Sequence, residues 1–417
     1  MANTNASLMT PRRTIPSGAA KWSRRLVALL GLCACDPAAA GMGALGPAGP
    51  VVSGAWPAPD GPCVLGPASP TRLLVTTTDF STGAVTVIDS ATLEVTPDVA
   101  VGSTDAIPVW DPVGDRVAVV HRFGLDYVDV LGDPGFVHQG QFPIASDRSA
   151  NPQSIAFVPS GLAWVTTLGT PWLRALDLSQ PPAHAEVERV DLSAFADDDG
   201  NPDASVIVAC GEQLYVGIQR LDASFLRVDV DMLVPLDQAS GLPIDIDPSE
   251  PGAQGLAIRG AWLRQLRTDP TDTSGQTLLA LTSGIERINT ATGTVEWAVP
   301  ESAFAAIGIV EYRQPQAFAV MNDGRSAILA AYVDGYAEVQ LFVVGLDDNE
   351  PQTPQLFASG LDSVERTLEI VGDRLWYGST RNDAPGLWAF DLTSSPPTPV
   401  AGPLSTGLPP YSMVTLP

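Results

Sequence analysis

The side chains able to do chemistry in this 417-residue chain are few, and their spacing narrows the options further. Its three histidines, His121, His138 and His184, are scattered, and none stands at metal-ligand spacing from another. The one lysine is Lys21, so a P-loop lysine or a Schiff-base lysine is excluded from everything after it. There is no G-x-S-x-G elbow, no H-E-x-x-H helix and no C-x-x-C pair. The sharpest local feature is Asp197-Asp198-Asp199-Gly200-Asn201-Pro202-Asp203. Carboxylates around a glycine turn can wrap a hard cation, which makes Asp197, Asp199 and Asp203 candidate ligands for Ca²⁺. The EF-hand pattern itself is not met, since no glutamate stands twelve residues on, and a solvated acidic turn is the competing reading. No catalytic residue and no other cofactor is expected from these patterns.

Charge narrows the class of partner. The formal net charge is −25, and five of the 22 basic residues precede Cys35, where no acid occurs. Without that segment the charge is near −30. Such a surface repels phosphate backbones and anionic headgroups, so nucleic acid is not an expected partner.

The first residues read as an address. A basic stretch (Lys21, Arg24, Arg25) precedes an apolar run, Leu26 to Ala34, too short to cross a bilayer. The run ends in Leu32-Cys33-Ala34-Cys35, which resembles the bacterial lipobox. That resemblance implies a leader over 1–34, lipidation of the Cys35 thiol and residence in the cell envelope. Ordinary secretion with cleavage after Ala38-Ala39-Ala40 is the alternative. Residues 36–70 are dominated by Pro, Gly and Ala, a composition that cannot bury a core, so 35–70 reads as a tether. Of the remaining cysteines, Cys63 and Cys210 are either a disulfide or buried thiols.

What must position any site is a repeat over 71–417. Short apolar runs ending in Asp or Asn recur as Val87-Ile88-Asp89, Tyr127-Val128-Asp129, Ala175-Leu176-Asp177, Arg227-Val228-Asp229, Arg287-Ile288-Asn289 and Ala389-Phe390-Asp391, with Phe342-Val343-Val344 as the variant. Each follows a second apolar run such as Leu162 to Thr167, and most of those follow a short strand closed by a glycine turn. The spacing of 40 to 60 residues predicts an all-β chain of seven four-stranded blades, a β-propeller. Both faces of the runs are apolar, as when every blade packs between two others. The first unit lacks an inner strand, and Leu408 to Thr415 copies the inner-strand pattern, so the C-terminal strand is expected to complete the first blade. The units resemble the YVTN/NHL-type and quinoprotein-like propeller superfamily, a resemblance that implies a fold and not an activity.

In such a ring the turns between inner and second strands lie on one face, and the second-to-third-strand loops with the blade connections lie on the other. The long stretches 193–204, 234–261 and 298–314 are expected on this looped face, with Asp79, His121, Arg122, Arg220, Asp334 and Arg381 at the strand ends beneath them. Structural ion pairing is the competing role for those six. The function expected is a monomeric binding or scaffolding module that presents this face to a protein, peptide or glycan. The alternative is a metal-dependent hydrolase or lactonase, with ligands gathered from several blades.

Overall fold

The computed structural model describes residues 56–417 apart from 145–147, 248–251, 253, 347–352, 363–365 and 382. The leader and Cys35 lie outside the described residues. Seven antiparallel sheets follow one another around a ring. Blade 2 is typical: inner Ala106–Asp111, second Arg116–His121, third Tyr127–Gly132 and outer Val137–Pro143. Blade 1 takes its inner strand from the far end of the chain. Pro410–Leu416 pairs with Arg72–Thr78, with Leu74 opposite Val414 and Thr76 opposite Ser412. This is the closure expected from the sequence.

The core is distributed as seven apolar clusters, one at each seam between neighbouring blades. Alternation along a strand explains the two apolar faces. Leu73 and Val75 face blade 7, against Trp376 and Leu387, whereas Leu74 faces blade 2, against Trp110 and Val117. Asp129 lies inside the third strand Tyr127–Gly132 and bonds His138, but in most other blades the recurring Asp has an equally local cause. At the end of a third strand its carboxylate accepts backbone N–H groups of the next turn, as Asp89 does from Ala91 and Thr92, and Asp391 does from Thr393. Asn289 plays the same part in blade 5.

Three placements differ from the sequence expectation. Blade 4's third strand is Met232–Asp237, and Arg227-Val228-Asp229 lies in the loop before it. The cap is made by Asp237, which accepts from the Ser240 N–H. The described residues of 238–247 leave the third strand on the turn face, toward a two-residue outer strand, Leu256–Ala257, and do not lie with the loops. Finally, residues 56–66 are bound to the body and do not hang from it.

These eleven residues form a strap across the turn face of blades 4 and 5. The Trp56 indole donates to Thr290 O, and Gln213 and Gln276 donate to the carbonyls of Pro57 and Pro59. The Glu212 N–H donates to Asp60 at 2.7 Å. Cys63–Val64 then adds a fifth strand to blade 4 on its channel side, where Cys63 is disulfide-bonded to Cys210. Among the described residues no helix is long and apolar enough to cross a membrane.

Candidate functional site

The looped face carries a feature that the sequence reading did not single out. Four aromatic side chains among the described residues are exposed: Phe80 (38 %), Phe123 (64 %), Phe225 (49 %) and Tyr336 (41 %). All four sit in loops between second and third strands, on blades 1, 2, 4 and 6. All four have left-handed backbone, with φ of 63°, 49°, 58° and 68°. That region is uncommon for residues other than glycine and rarer still for bulky ones. The available signal was short-range: Phe80 directly follows Asp79 and Phe123 directly follows Arg122, two residues already placed on this face.

Between Phe225 and Tyr336 lies a denser cluster built from two blade connections. Residues 258–264 join blade 4 to blade 5 and carry Trp262, also left-handed at φ 65°. Two buried carboxylates hold this segment by its backbone. Glu286, on the third strand of blade 5 (Ile285–Asn289), accepts the N–H groups of Arg259 (2.8 Å) and Gly260 (2.9 Å) and the Thr282 hydroxyl. Asp231 accepts the Leu263 N–H at 2.8 Å and pairs with Arg227 at 3.0 Å. A Cβ on Gly260 would come within 2.1 Å of Thr282 Oγ1, so only glycine fits there. Burial pushes Glu286 up to about 7 and Asp231 up to about 6, against the hydrogen bonds that favour their charged forms.

The connection from blade 5 to blade 6 supplies the facing residues. The Arg313 guanidinium stacks 4.7 Å from the Trp262 ring centroid and 5.5 Å from that of Tyr312. Arg313 also donates to the Phe225 carbonyl, which ties the blade 4 loop to this stack. Gln314 accepts the N–H groups of Val310 and Glu311 and so fixes the turn that presents them. Tyr336 donates its hydroxyl to Glu311 at 3.0 Å and packs 5.4 Å from Tyr332. Burial, then the Glu311 charge, raises the Tyr336 phenol above its ordinary range. The result is an arc of Trp, Tyr, Phe and Arg across blades 4 to 6, tied together by these contacts.

The six residues named from sequence lie at second-strand ends on this face, and the side chains of five of them are engaged locally. Asp79 accepts the N–H groups of Ser81 and Thr82. His121 is buried, bonded to Ser103 and 3.1 Å from Asp129. Arg122 is buried with Asp105, Gln153 and Tyr411. Arg220 pairs with Asp229, and Arg381 pairs with Asp383. Asp334 is exposed with φ 49° at the start of the blade 6 loop.

Asp197, Asp199 and Asp203 fall in the connection from blade 3 to blade 4. Asp197 accepts the Asp199 N–H, and Asp199 accepts the Asn201 N–H. Asp203 is buried between the Asn201 amide and the Leu221 N–H, and burial lifts it to about 7. Among the described residues no group of three or more His, Cys, Asp or Glu side chains is gathered to hold a metal ion.

No family model and no curated protein matches the chain. Solved structures do. A periplasmic gluconolactonase of Pseudomonas aeruginosa matches at 14 % identity and TM-score 0.54, over 83 % of this chain and 99 % of that one. The hydrazine synthase structure of Kuenenia stuttgartiensis matches at 14 % and 0.51, over 78 % and 97 %. A Lactobacillus plantarum protein matches at 14 % and 0.50, over 84 % and 100 %. Likeness at this identity concerns the fold alone: the chain is a seven-bladed β-propeller.

Proposed function

We propose that this protein is an exported, lipid-anchored binding module of the YVTN/NHL-type propeller class, which engages a polypeptide partner through its looped face. The observation that carries the reading is that every exposed aromatic side chain among the described residues lies on that face, in strained backbone. Trp, Tyr and Arg, which make up the stack at its centre, are the residue types that dominate interface energetics. The lipobox-like Leu32 to Cys35 supports export and anchoring at Cys35. The Cys63–Cys210 disulfide also supports export, since such bonds persist in oxidising compartments. The metal-dependent lactonase alternative lacks a gathered ligand set among the described residues.

Site-specific photocrosslinking in producing cells tests this. A crosslinker placed at Phe225 is expected to capture one discrete polypeptide, and Tyr336→Ser should abolish the adduct. A crosslinker at Val400, on the outer strand of blade 7, should not capture it. The same adducts from both positions would sink the reading. No adduct, together with saturable glycan binding lost in Tyr336→Ser, would make the partner a glycan. Cells fed labelled palmitate should label the native chain but not Cys35→Ser, and equal labelling would refute the anchor.

A further inference from the structure

Along the ring axis, between the looped face and the strap, runs a cavity of about 120 Å³, several times the space that one water needs. Inner strands of six blades line it, and Val64, Leu65 and Gly66 of the strap form part of its wall. Among the described residues its polar lining is Ser154, Gln265, Arg267, Arg366, Glu369 and Ser412. Arg267 reaches from blade 5 past blade 6 to blade 7, where it bonds Glu369 at 2.7 Å and the Leu368 carbonyl. Its Nε is nevertheless buried with no partner. On blade 1, Ser412 is 1 % exposed, and its hydroxyl is also without a partner.

Buried polar atoms left unpaired in a native protein call for water, an ion or a ligand. A guanidinium Nε–H can only donate, and a serine hydroxyl can donate or accept, so an acceptor is the one kind of group that would satisfy both. Among the described residues, the one charged oxygen acceptor in the lining, Glu369, is already used by Arg267. Guanidinium groups match carboxylate geometry better than that of a single water. We infer that the channel is a binding site for a small carboxylate, held by Arg267 and Ser412. The site is separate from the aromatic arc.

The test is a thermal-shift and calorimetric titration of the disulfide-intact full chain with acetate. Acetamide serves as the neutral control, and ionic strength is balanced by a sulfonate salt too bulky for the cavity. One saturable acetate site is expected, with acetamide at least tenfold weaker. Ser412→Ala, which removes only the unpaired hydroxyl, should weaken acetate several-fold without lowering the melting temperature. The paired change Arg267→Gln with Glu369→Gln replaces an ion pair by a neutral pair and should remove binding. Should that double variant fail to fold, Ser412→Ala alone decides. Equal responses to acetate and acetamide, or unchanged acetate binding in Ser412→Ala, would overturn the inference and leave the cavity to water.

Discussion

An aromatic residue held in the left-handed region costs roughly 1–2 kcal/mol relative to its favoured backbone. Phe80, Phe123, Phe225 and Tyr336 each carry that cost, and the Phe123 ring, 64 % exposed, recovers the least of it by burial. Strain of this kind persists where surrounding structure over-determines it, and it concentrates at ligand-binding sites. Phe123→Gly should therefore be neutral or stabilising by up to about 1 kcal/mol, because relief of strain outweighs the extra backbone entropy of glycine. Thermal melts of the purified variant check this. A clear drop in melting temperature would show that the ring contributes to folding and weaken its assignment to binding. The sequence identified this face but not its chemistry. Asp79, Arg122 and Arg220 were conspicuous as charges, yet each is satisfied by its own surroundings. The rings next to Asp79 and Arg122 were hidden because exposure and φ are properties of the fold.

At the scale of elements, the inner, second and third strands were legible because both of their faces are buried and turn chemistry punctuates them. Blade 4 was misread for a physical reason. Arg227-Val228-Asp229 imitates a third strand, but Asp229 pairs with Arg220, and the true cap, Asp237, lies eight residues on. The strap was invisible for another. Its Pro and Gly content announces only that it cannot form a core, whereas its docking uses the carbonyls of Pro57, Pro59 and Pro62. The covalent part of that docking is open to measurement. A disulfide closing a 147-residue separation restricts the unfolded chain by about 5 kcal/mol in the chain-entropy model. Cys63→Ser with Cys210→Ser should lower the denaturation midpoint by several kcal/mol equivalent, while native far-ultraviolet circular dichroism is kept. An unchanged midpoint would mean that the strap's hydrogen bonds suffice.

The whole molecule combines a net charge of −25 with buried carboxylates whose affinity for protons is raised. Burial lifts Asp203 and Glu286 to about 7 and Asp231 to about 6. Folded values above the unfolded ones mean that these groups stabilise fully below about pH 4, and that the stabilisation is lost as pH rises through 6 to 7. Asp272 runs the other way. Burial raises it, but bonds from Ser274 and Thr277 bring it down to about 2, so its contribution is present above about pH 4 and lost as pH falls through 2. The melting temperature should accordingly be higher at pH 5 than at pH 8, and Glu286→Gln should flatten the difference. Self-repulsion of the acidic surface also eases at low pH, so the contrast between native chain and variant is the informative quantity. A difference unchanged in Glu286→Gln would assign the whole effect to surface charge. The strap has one further consequence, a mechanical one. Tension applied through the N-terminal segment meets the Cys63–Cys210 bond and the turns of blades 4 and 5 before it reaches Arg72–Thr78, the strand that closes the ring with Pro410–Leu416. A propeller hung from its N-terminus would otherwise be peeled open at that seam, and here the load enters the opposite side of the ring through a covalent bond.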